Sequence, residues 1–233
     1  MKVQIIAQGG ARMDLYPTVQ ETAAHVRRIY EMGVRYFDCA RAYWGGKDEP
    51  PTCAKMSGSR SNRANVRVRR PKRNWRSHSR LCYLDLWQMH DVRTKAQIAQ
   101  ILGPGGAMEA FEAATKAGKC RFIGFTGHFN PETHAALLKA YPKWDSVLMP
   151  VHRGRPRVSQ LRKKTALPVV VEMGIGIHAI KVFYKAVLLR ALNPQECLRY
   201  TLSMPVHVAI CGFGTTGQME DNVRVAQSFK PLS

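Results

Sequence analysis

The fold is decided by residues 105–151, which read GGAMEAFEAATKAGKCRFIGFTGHFNPETHAALLKAYPKWDSVLMPV. The elements predicted from their apolar spacing are a helix over 105–118, a strand over 121–128, a helix over 131–141 and a strand over 145–151. Gly118 closes the first helix, while Asn130 and Pro131 supply the cap and first turn of the second. Strands that are joined through a helix pack side by side in parallel.

The same alternation extends in both directions along the chain. It predicts helices over 18–32, 167–174, 194–203 and 216–229, and strands over 35–40, 81–90, 176–183 and 206–213. Thr18 and Glu21 form a capping box at the start of the first helix, and Gly33 ends that helix. About six strand–helix units are clear, and no Gly-rich turn follows the first strand. We therefore predict an α/β protein with a (β/α)₈ TIM barrel, formed as a single domain over 1–233.

Basic residues are concentrated in two tracts, 51–80 and 152–164. The first holds eight Arg and two Lys, the second holds four Arg and two Lys, and neither contains an acidic residue. Three interpretations are open: loops that bind nucleic acid or another anion, solvated loops without a partner, and segments translated out of frame. Their abrupt ends and missing periodicity favour the third, which the nucleotide sequence would test. The third strand falls in 51–80, so we expect the barrel to be incomplete or irregular there. Because a complete barrel takes about 250 residues, this one is expected to be trimmed.

Composition excludes several classes of protein. An apolar fraction of 45% and an aromatic fraction of 9% are typical of a globular chain. No apolar run approaches the roughly 18 residues that cross a bilayer, and MKVQIIAQGG (1–10) is too short and polar for a secretory signal. The six cysteines form no Cys-x-x-Cys pair, which argues against a zinc site or a disulfide scaffold. We expect a cytoplasmic protein with no metal and no membrane partner.

Three reactive side chains follow predicted strands. Asp38 ends the second strand, Tyr43 lies five residues later, and His90 ends the fourth. Reactive groups of such barrels project from the carboxyl ends of the strands, and a carboxylate, a phenol and an imidazole together indicate proton transfer to or from oxygen. Each alone is also consistent with a structural role: Asp38 as a turn cap, Tyr43 in loop packing and His90 as a satisfied core group. The three together favour a site.

Four segments carry a family resemblance. GVRYFDCARAY (33–43) is similar to the aldo-keto reductase motif G-x-x-x-F-D-T-A-x-x-Y, with Cys39 in place of Thr. The other three, also similar to motifs of that family, are YLDLWQMH (83–90), GAMEAFEAATKAGKCRFIGFTGH (106–128) and CGFGTTGQMEDN (211–222). The resemblance covers most of 8–229 except the basic tracts. It is nearest to a bacterial branch whose longer members carry iron–sulfur cysteines, and no such cluster is present in this sequence.

The resemblance implies NADPH-dependent reduction of a small carbonyl substrate by a Tyr, His, Asp and Lys tetrad. Tyr43 would give its proton to the carbonyl oxygen, His90 would orient the carbonyl, and Asp38 would pair with a lysine on the third strand. The expected Thr-Lys strand is not recognisable in 51–80, where Lys55 and Lys72 have no strand pattern around them. The resemblance therefore predicts an incomplete tetrad and weak turnover.

The resemblance also implies positions for the cofactor and the substrate. Those expected to hold the phosphates and adenine of NADPH are Gly212, Gly214, Thr215, Gln218, Asp221 and Asn222, although a plain amphipathic helix is the alternative. Thr126 and Gly127 match a Ser-Asn pair that holds the nicotinamide amide, and Gly127 has no side chain to contribute. Lys181 would face the cofactor or close the barrel mouth. Trp44, Trp87 and His128 would line the substrate pocket or else pack in the core.

Three functions remain open at this point. The chain is an aldo-keto reductase, active or damaged, or a folded pseudoenzyme that binds NADPH without turnover, or a basic protein that binds nucleic acid through its two tracts. We favour the reductase and expect no nucleic-acid partner.

Overall fold

The computed structural model describes residues 5–40, 43, 64–68, 84–154 and 164–232. Its strands are β1 (Ile6–Gly9), β2 (Phe37–Ala40), β3 (Ala64–Val68), β4 (Leu84–Met89), β5 (Cys120–Thr126), β6 (Ser146–Pro150), β7 (Gly176–Ile180) and β8 (Val208–Cys211). Its α-helices are α1 (Val19–Glu31), α2 (Lys95–Leu102), α3 (Ala107–Lys116), α4 (Pro131–Ala140), α5 (Ala166–Glu172), α6 (Pro194–Leu202) and α7 (Thr216–Gln227). Short 3-10 helices span Gly10–Leu15 and Val187–Arg190.

The eight strands close into a barrel in sequence order. The strand β1 pairs in parallel with both β2 and β8, which closes the sheet, and the pairs from β4 to β8 are also parallel. Helices cross from one parallel strand to the next, as the repeating pattern predicts. The predicted α/β class and (β/α)₈ barrel are confirmed.

The barrel is irregular at the third strand, where the sequence predicts irregularity. The strand β3 is antiparallel to both neighbours, β2 and β4, and its register with β4 shifts between Arg67 and Val68. No strand pattern is recognisable in the sequence of 51–80, and that reading was wrong for Ala64–Val68, which form β3. A parallel third strand would need a crossover of a dozen or more residues, usually a helix, and the sequence on either side of β3 has no helical periodicity. Antiparallel pairing needs no such crossover.

Helix ends follow the predicted signals. Thr18 and Glu21 form a reciprocal capping box, in which Thr18 N–H donates to Glu21 Oε2 at 3.0 Å and Glu21 N–H donates to Thr18 Oγ1 at 3.2 Å. Asn130 Oδ1 accepts from the Glu132 and Thr133 N–H groups at 3.1 and 3.3 Å, with Pro131 in the first turn of α4. These caps satisfy N–H groups that a helix start leaves without partners, so they define where α1 and α4 begin.

Two layers of core pack against the sheet. Inside the barrel lie Ala7, Tyr36, Leu148, Val208 and Ile210. Between the strands and the helices lies a larger aromatic and aliphatic layer, in which the Trp87 and Phe111 rings stack with centroids 4.0 Å apart. Along β6 and β8 the side chains alternate between the barrel interior and the layer under the helices, as the geometry of a strand dictates.

Candidate active site

Asp38 faces the barrel interior. It is 6% exposed and shares a face of β2 with Tyr36, two residues earlier. The Tyr36 hydroxyl lies 3.1 Å from His178 Nδ1 on β7, a strand that does not border β2, so this face points inward. The strand continues to Ala40, so Asp38 lies two residues before the strand end rather than at it. It is a residue of the strand and not a turn cap.

Tyr43 and His90 meet at the carboxyl-terminal mouth of the barrel. Tyr43 follows β2 by three residues, and His90 follows β4 directly. Their rings contact edge to face, with centroids 6.3 Å apart and an interplanar angle of 87°. Both side chains are partly exposed. A phenol and an imidazole are therefore side by side at an opening that solvent reaches, on two strands that do not pair with each other.

No lysine of β3 lies beside them. The strand reads ANVRV, and its antiparallel direction brings its amino end to the mouth, with Ala64 opposite Met89 and Asn65 opposite Ala40. Lys55 and Lys72 lie outside the described residues. The described part of the chain therefore supplies Asp38, Tyr43 and His90 without a lysine on the third strand.

Thr126 ends β5 at the same mouth, and Gly127 directly follows it. Thr126 is fully buried, and its Oγ1 accepts the Asp91 N–H at 2.7 Å, which leaves the Thr126 hydroxyl proton available to donate. The space beside the Gly127 Cα is occupied, because a Cβ added there would lie 1.8 Å from His134 Nε2. His134 thus fills the space that a side chain at position 127 would need.

Loops after β4, β5 and β7 build a charged rim. Arg93 Nε donates to Asp91 Oδ2 at 2.7 Å. Burial alone would raise the pKa of the Asp91 carboxyl, but this hydrogen bond and the charges of His128, Arg93 and His90 together lower it. The Arg93 guanidinium and the Lys181 ammonium each lie 5.5 Å from the Phe129 ring centroid. Burial, reinforced by the Lys181 charge, lowers the pKa of His128 to about 4, which keeps this imidazole neutral at neutral pH.

Two residues of this rim are strained. Asp91 lies two residues after β4 and Lys181 directly follows β7, with φ of 62° and 59°, in the left-handed region. Residues other than glycine are uncommon there and concentrate at functional sites. Asp91, Arg93 and Phe129 were missed by sequence reasoning, although Asp-x-Arg directly after a predicted strand was the available signal. Lys181 was expected to face the cofactor or to close the barrel mouth, and both roles stay predictions; its ammonium group lies near the Phe129 ring.

The start of α7 forms a second polar surface after β8. Thr215 caps the helix by accepting the Gln218 N–H at 3.3 Å, and Gly214 N–H donates to Gln218 Oε1 at 2.9 Å. Gly212, Thr215 and Gln218 are exposed, so the helix start faces solvent. Asp221 and Asn222 follow one turn later, where Asp221 pairs with Arg224 and Asn222 is 4% exposed.

The structure separates the predicted pocket residues. Trp87 is 2% exposed and stacks on Phe111 of α3, so its side chain lies on the outer face of β4, away from the mouth. The assignment of Trp87 to the substrate pocket is wrong, and the core-packing alternative holds. His128 lies at the mouth, and Trp44 lies outside the described residues. Within the described ranges there is no group of three metal-ligating side chains, and none of the helices found there is long and apolar enough to span a membrane.

Comparison with solved structures identifies the fold. An aldo-keto reductase from Bacillus halodurans in its holo form matches 99% of this chain and 89% of its own, with a TM-score of 0.70 and 19% identity. An aldo-keto reductase from Klebsiella pneumoniae in complex with NADPH matches 99% and 87%, with a TM-score of 0.64 and 15% identity. The glycerol dehydrogenase of Gluconobacter oxydans matches 99% and 88%, with a TM-score of 0.67 and 15% identity. The chain has the aldo-keto reductase fold. No protein-family profile and no curated protein sequence matches it.

The aldo-keto reductase fold supports the resemblance recognised in the four motifs. Each motif lies on the element where the resemblance placed it: β2 and its loop, β4, α3 with β5, and β8 with α7. The third strand is the exception, since the antiparallel β3 has no counterpart in the repeating pattern of the barrel. The departure in sequence and the departure in topology therefore coincide.

Proposed function

We propose that the chain is a cytoplasmic enzyme that binds NADPH and reduces a small aldehyde or ketone to an alcohol, with turnover weakened by an incomplete tetrad. The observation that carries this proposal is the edge-to-face contact of Tyr43 with His90 at the barrel mouth, above the inward-facing Asp38. These are the three tetrad members that the sequence retains. No described feature favours nucleic acid as a partner.

Tyr43 acts as the general acid in this proposal. Its phenol proton passes to the carbonyl oxygen as the carbonyl carbon is reduced, and His90 in its neutral form donates a second hydrogen bond to that oxygen. NADPH, when bound, supplies the hydride. The edge-to-face contact of the two rings supports this shared role.

The absence of a lysine from the described strand β3 limits the rate in this proposal. A free phenol has a pKa of about 10, so it donates reluctantly at neutral pH unless a nearby cation stabilises its phenolate. The described strand β3 holds no lysine of the kind with which the resemblance pairs Asp38. General acid catalysis typically contributes about 10²–10⁴ in rate, and we expect most of that factor to be lost.

The residues present fit the cofactor better at its phosphate end than at its nicotinamide end. The loop from Gly212 to Thr215, in which Gly212 and Thr215 are exposed, leads into α7, whose first N–H groups and helix dipole favour a phosphate. Gln218 and Asp221 extend this surface towards the adenine, and the buried Asn222 supports it from below. At the other end, of the two positions that match the Ser-Asn pair, Thr126 offers a hydroxyl to the carboxamide, whereas Gly127 has no side chain and His134 occupies the space beside it. Lys181, which directly follows β7, would face the cofactor in this proposal.

A titration with NADPH, followed by quenching of tryptophan fluorescence, tests the cofactor site. Gln218→Ala removes an exposed side chain and should weaken NADPH binding about threefold to tenfold, the size of one or two hydrogen bonds. Asn222→Ala should weaken it as well. Gln227→Ala, at the far end of the same helix, is the matched control and should leave the affinity unchanged. Equal affinity in the unmodified chain, Gln218→Ala and Asn222→Ala would exclude this site.

A further inference from the structure

Tyr16 and His25, near the start of the chain, are hydrogen-bonded to each other, and Tyr16 is also hydrogen-bonded to the loop from Gly212 to Thr215 that precedes α7. Tyr16 follows the 3-10 helix Gly10–Leu15, and His25 lies in α1. The Tyr16 hydroxyl lies 2.7 Å from His25 Nδ1 and 3.3 Å from the carbonyl oxygen of Gly214. The two rings also pack together, with centroids 4.4 Å apart. The Tyr16 hydroxyl thus links the His25 imidazole to the backbone of the loop that precedes α7.

The hydrogen bonds have one consistent direction. A phenol has a single proton, so Tyr16 donates to the Gly214 carbonyl only if its oxygen accepts a proton from His25 Nδ1–H. The proton of neutral His25 then lies on Nδ1. His25 Nε2 is buried with no hydrogen-bond partner among the described residues, so this tautomer avoids burying an N–H without an acceptor. Burial lowers the pKa of His25, which favours the neutral ring that the chain of bonds requires.

Gly214 is held at both of its polar backbone atoms. Its carbonyl accepts from Tyr16, and its N–H donates to Gln218 Oε1 at 2.9 Å. A Cβ added to Gly214 would lie 3.2 Å from Leu15 Cδ1, so the residue before Tyr16 also packs against this glycine. An exposed ion pair between Arg28 of α1 and Glu220 of α7, at 3.1 Å, joins the same two helices.

We propose that His25 and Tyr16 are positioning residues that hold the Gly214 backbone in the shape that receives the cofactor phosphate. The inference rests on the proposed function, because it concerns the same phosphate site. A loop that is already ordered loses less conformational entropy when its ligand binds, so fixing Gly214 from α1 strengthens binding without any contact between Tyr16 and the ligand.

Substitution of Tyr16 and His25 tests this role, with NADPH and adenosine 2′,5′-bisphosphate as the two titrants. Tyr16→Phe keeps the ring and loses the hydroxyl, so both ligands should bind about threefold to tenfold more weakly. His25→Asn can place an amide N–H where Nδ1–H lies and should retain most of the affinity, whereas His25→Leu should not. Tyr141→Phe is the matched control, because it removes a hydroxyl that bonds to Glu112, away from this loop. Circular dichroism and thermal unfolding report whether each variant is folded.

Each outcome separates the two ideas. If the unmodified chain binds neither ligand, the proposed function fails, and the positioning role fails with it. If the unmodified chain binds and Tyr16→Phe binds equally well, only the positioning role is overturned. If His25→Asn is as weak as His25→Leu, His25 acts through packing rather than through its hydrogen bond, which also overturns the role. Weak binding in Tyr16→Phe and His25→Leu, with affinity retained in His25→Asn and Tyr141→Phe, supports it.

Discussion

Gly127→Ala should destabilise the protein strongly, because the new methyl group has no space. Its Cβ would lie 1.8 Å from His134 Nε2, 2.5 Å from Cε1 and 2.8 Å from Cδ2. His134 is fully buried and packs against the Phe125 ring, so its ring has little room to retreat. The glycine is held as well, since its N–H donates to the Leu148 carbonyl at 3.0 Å. Overpacking of this kind typically costs about 1–3 kcal/mol, and two constrained partners place this case at the upper end.

The assay is urea and thermal unfolding followed by circular dichroism. A loss of about 3 kcal/mol corresponds to a fall in Tm of roughly 6–12 °C for a domain of this size. Gly217→Ala is the matched control, because a Cβ there meets nothing within 4 Å and alanine favours the helix in which it lies. That control should be neutral or slightly stabilising.

A double-mutant cycle isolates the clash. His134→Ala removes the ring and leaves a cavity, and Gly127→Ala in that background should then cost little, which gives a favourable coupling of about 2–3 kcal/mol. Gly127→Ala with the stability of the unmodified chain, or a cycle without coupling, would refute the reasoning. The same cycle bears on the cofactor, because an asparagine at position 127, where the resemblance has one, fits only if His134 is also replaced.

Two further predictions concern strain and acid stability. Ala186 has φ of 65°, so Ala186→Gly should stabilise the protein by about 0.5–1 kcal/mol in urea unfolding, whereas Ala191→Gly, at φ of −131°, should destabilise it. If Ala186→Gly destabilises the protein and Ala191→Gly stabilises it, the backbone at position 186 is not strained. Burial and the Lys181 charge lower the pKa of His128 from 6.5 to about 4, so its contribution to stability is complete above 6.5 and is lost as the pH falls towards 4. His128→Asn should flatten the stability–pH curve in that window, and an unchanged slope would exclude His128 as its cause.

Local signals in the sequence predict most of the fold. Capping residues such as Thr18 and Asn130 act within one turn, so they mark the starts of α1 and α4 without any tertiary information. The helix α2 was missed, although Thr94 and Gln97 form a capping box at its start. The antiparallel direction of β3 could not be predicted, because strand direction depends on pairing with β2 and β4 rather than on the tract itself.

Only part of the candidate site can be predicted from the sequence. Tyr43 and His90 are found because both follow strand ends, which meet at one mouth of a parallel barrel. The error at Trp87 was avoidable, since it lies an odd number of residues from His90 and neighbouring strand positions alternate between faces. The contact of Tyr16 with Gly214 spans 198 residues, and no local pattern reports it.

The central claim is tested most directly by NADPH oxidation with a nitrobenzaldehyde, measured for the unmodified chain beside Tyr43→Phe. We predict feeble turnover by the unmodified chain and none by Tyr43→Phe, with NADPH still quenching tryptophan fluorescence in both. Losing the phenol removes the general acid, while the phosphate loop after β8 is untouched. Turnover that survives in Tyr43→Phe would contradict the assignment of Tyr43, and robust turnover by the unmodified chain would contradict the incomplete tetrad.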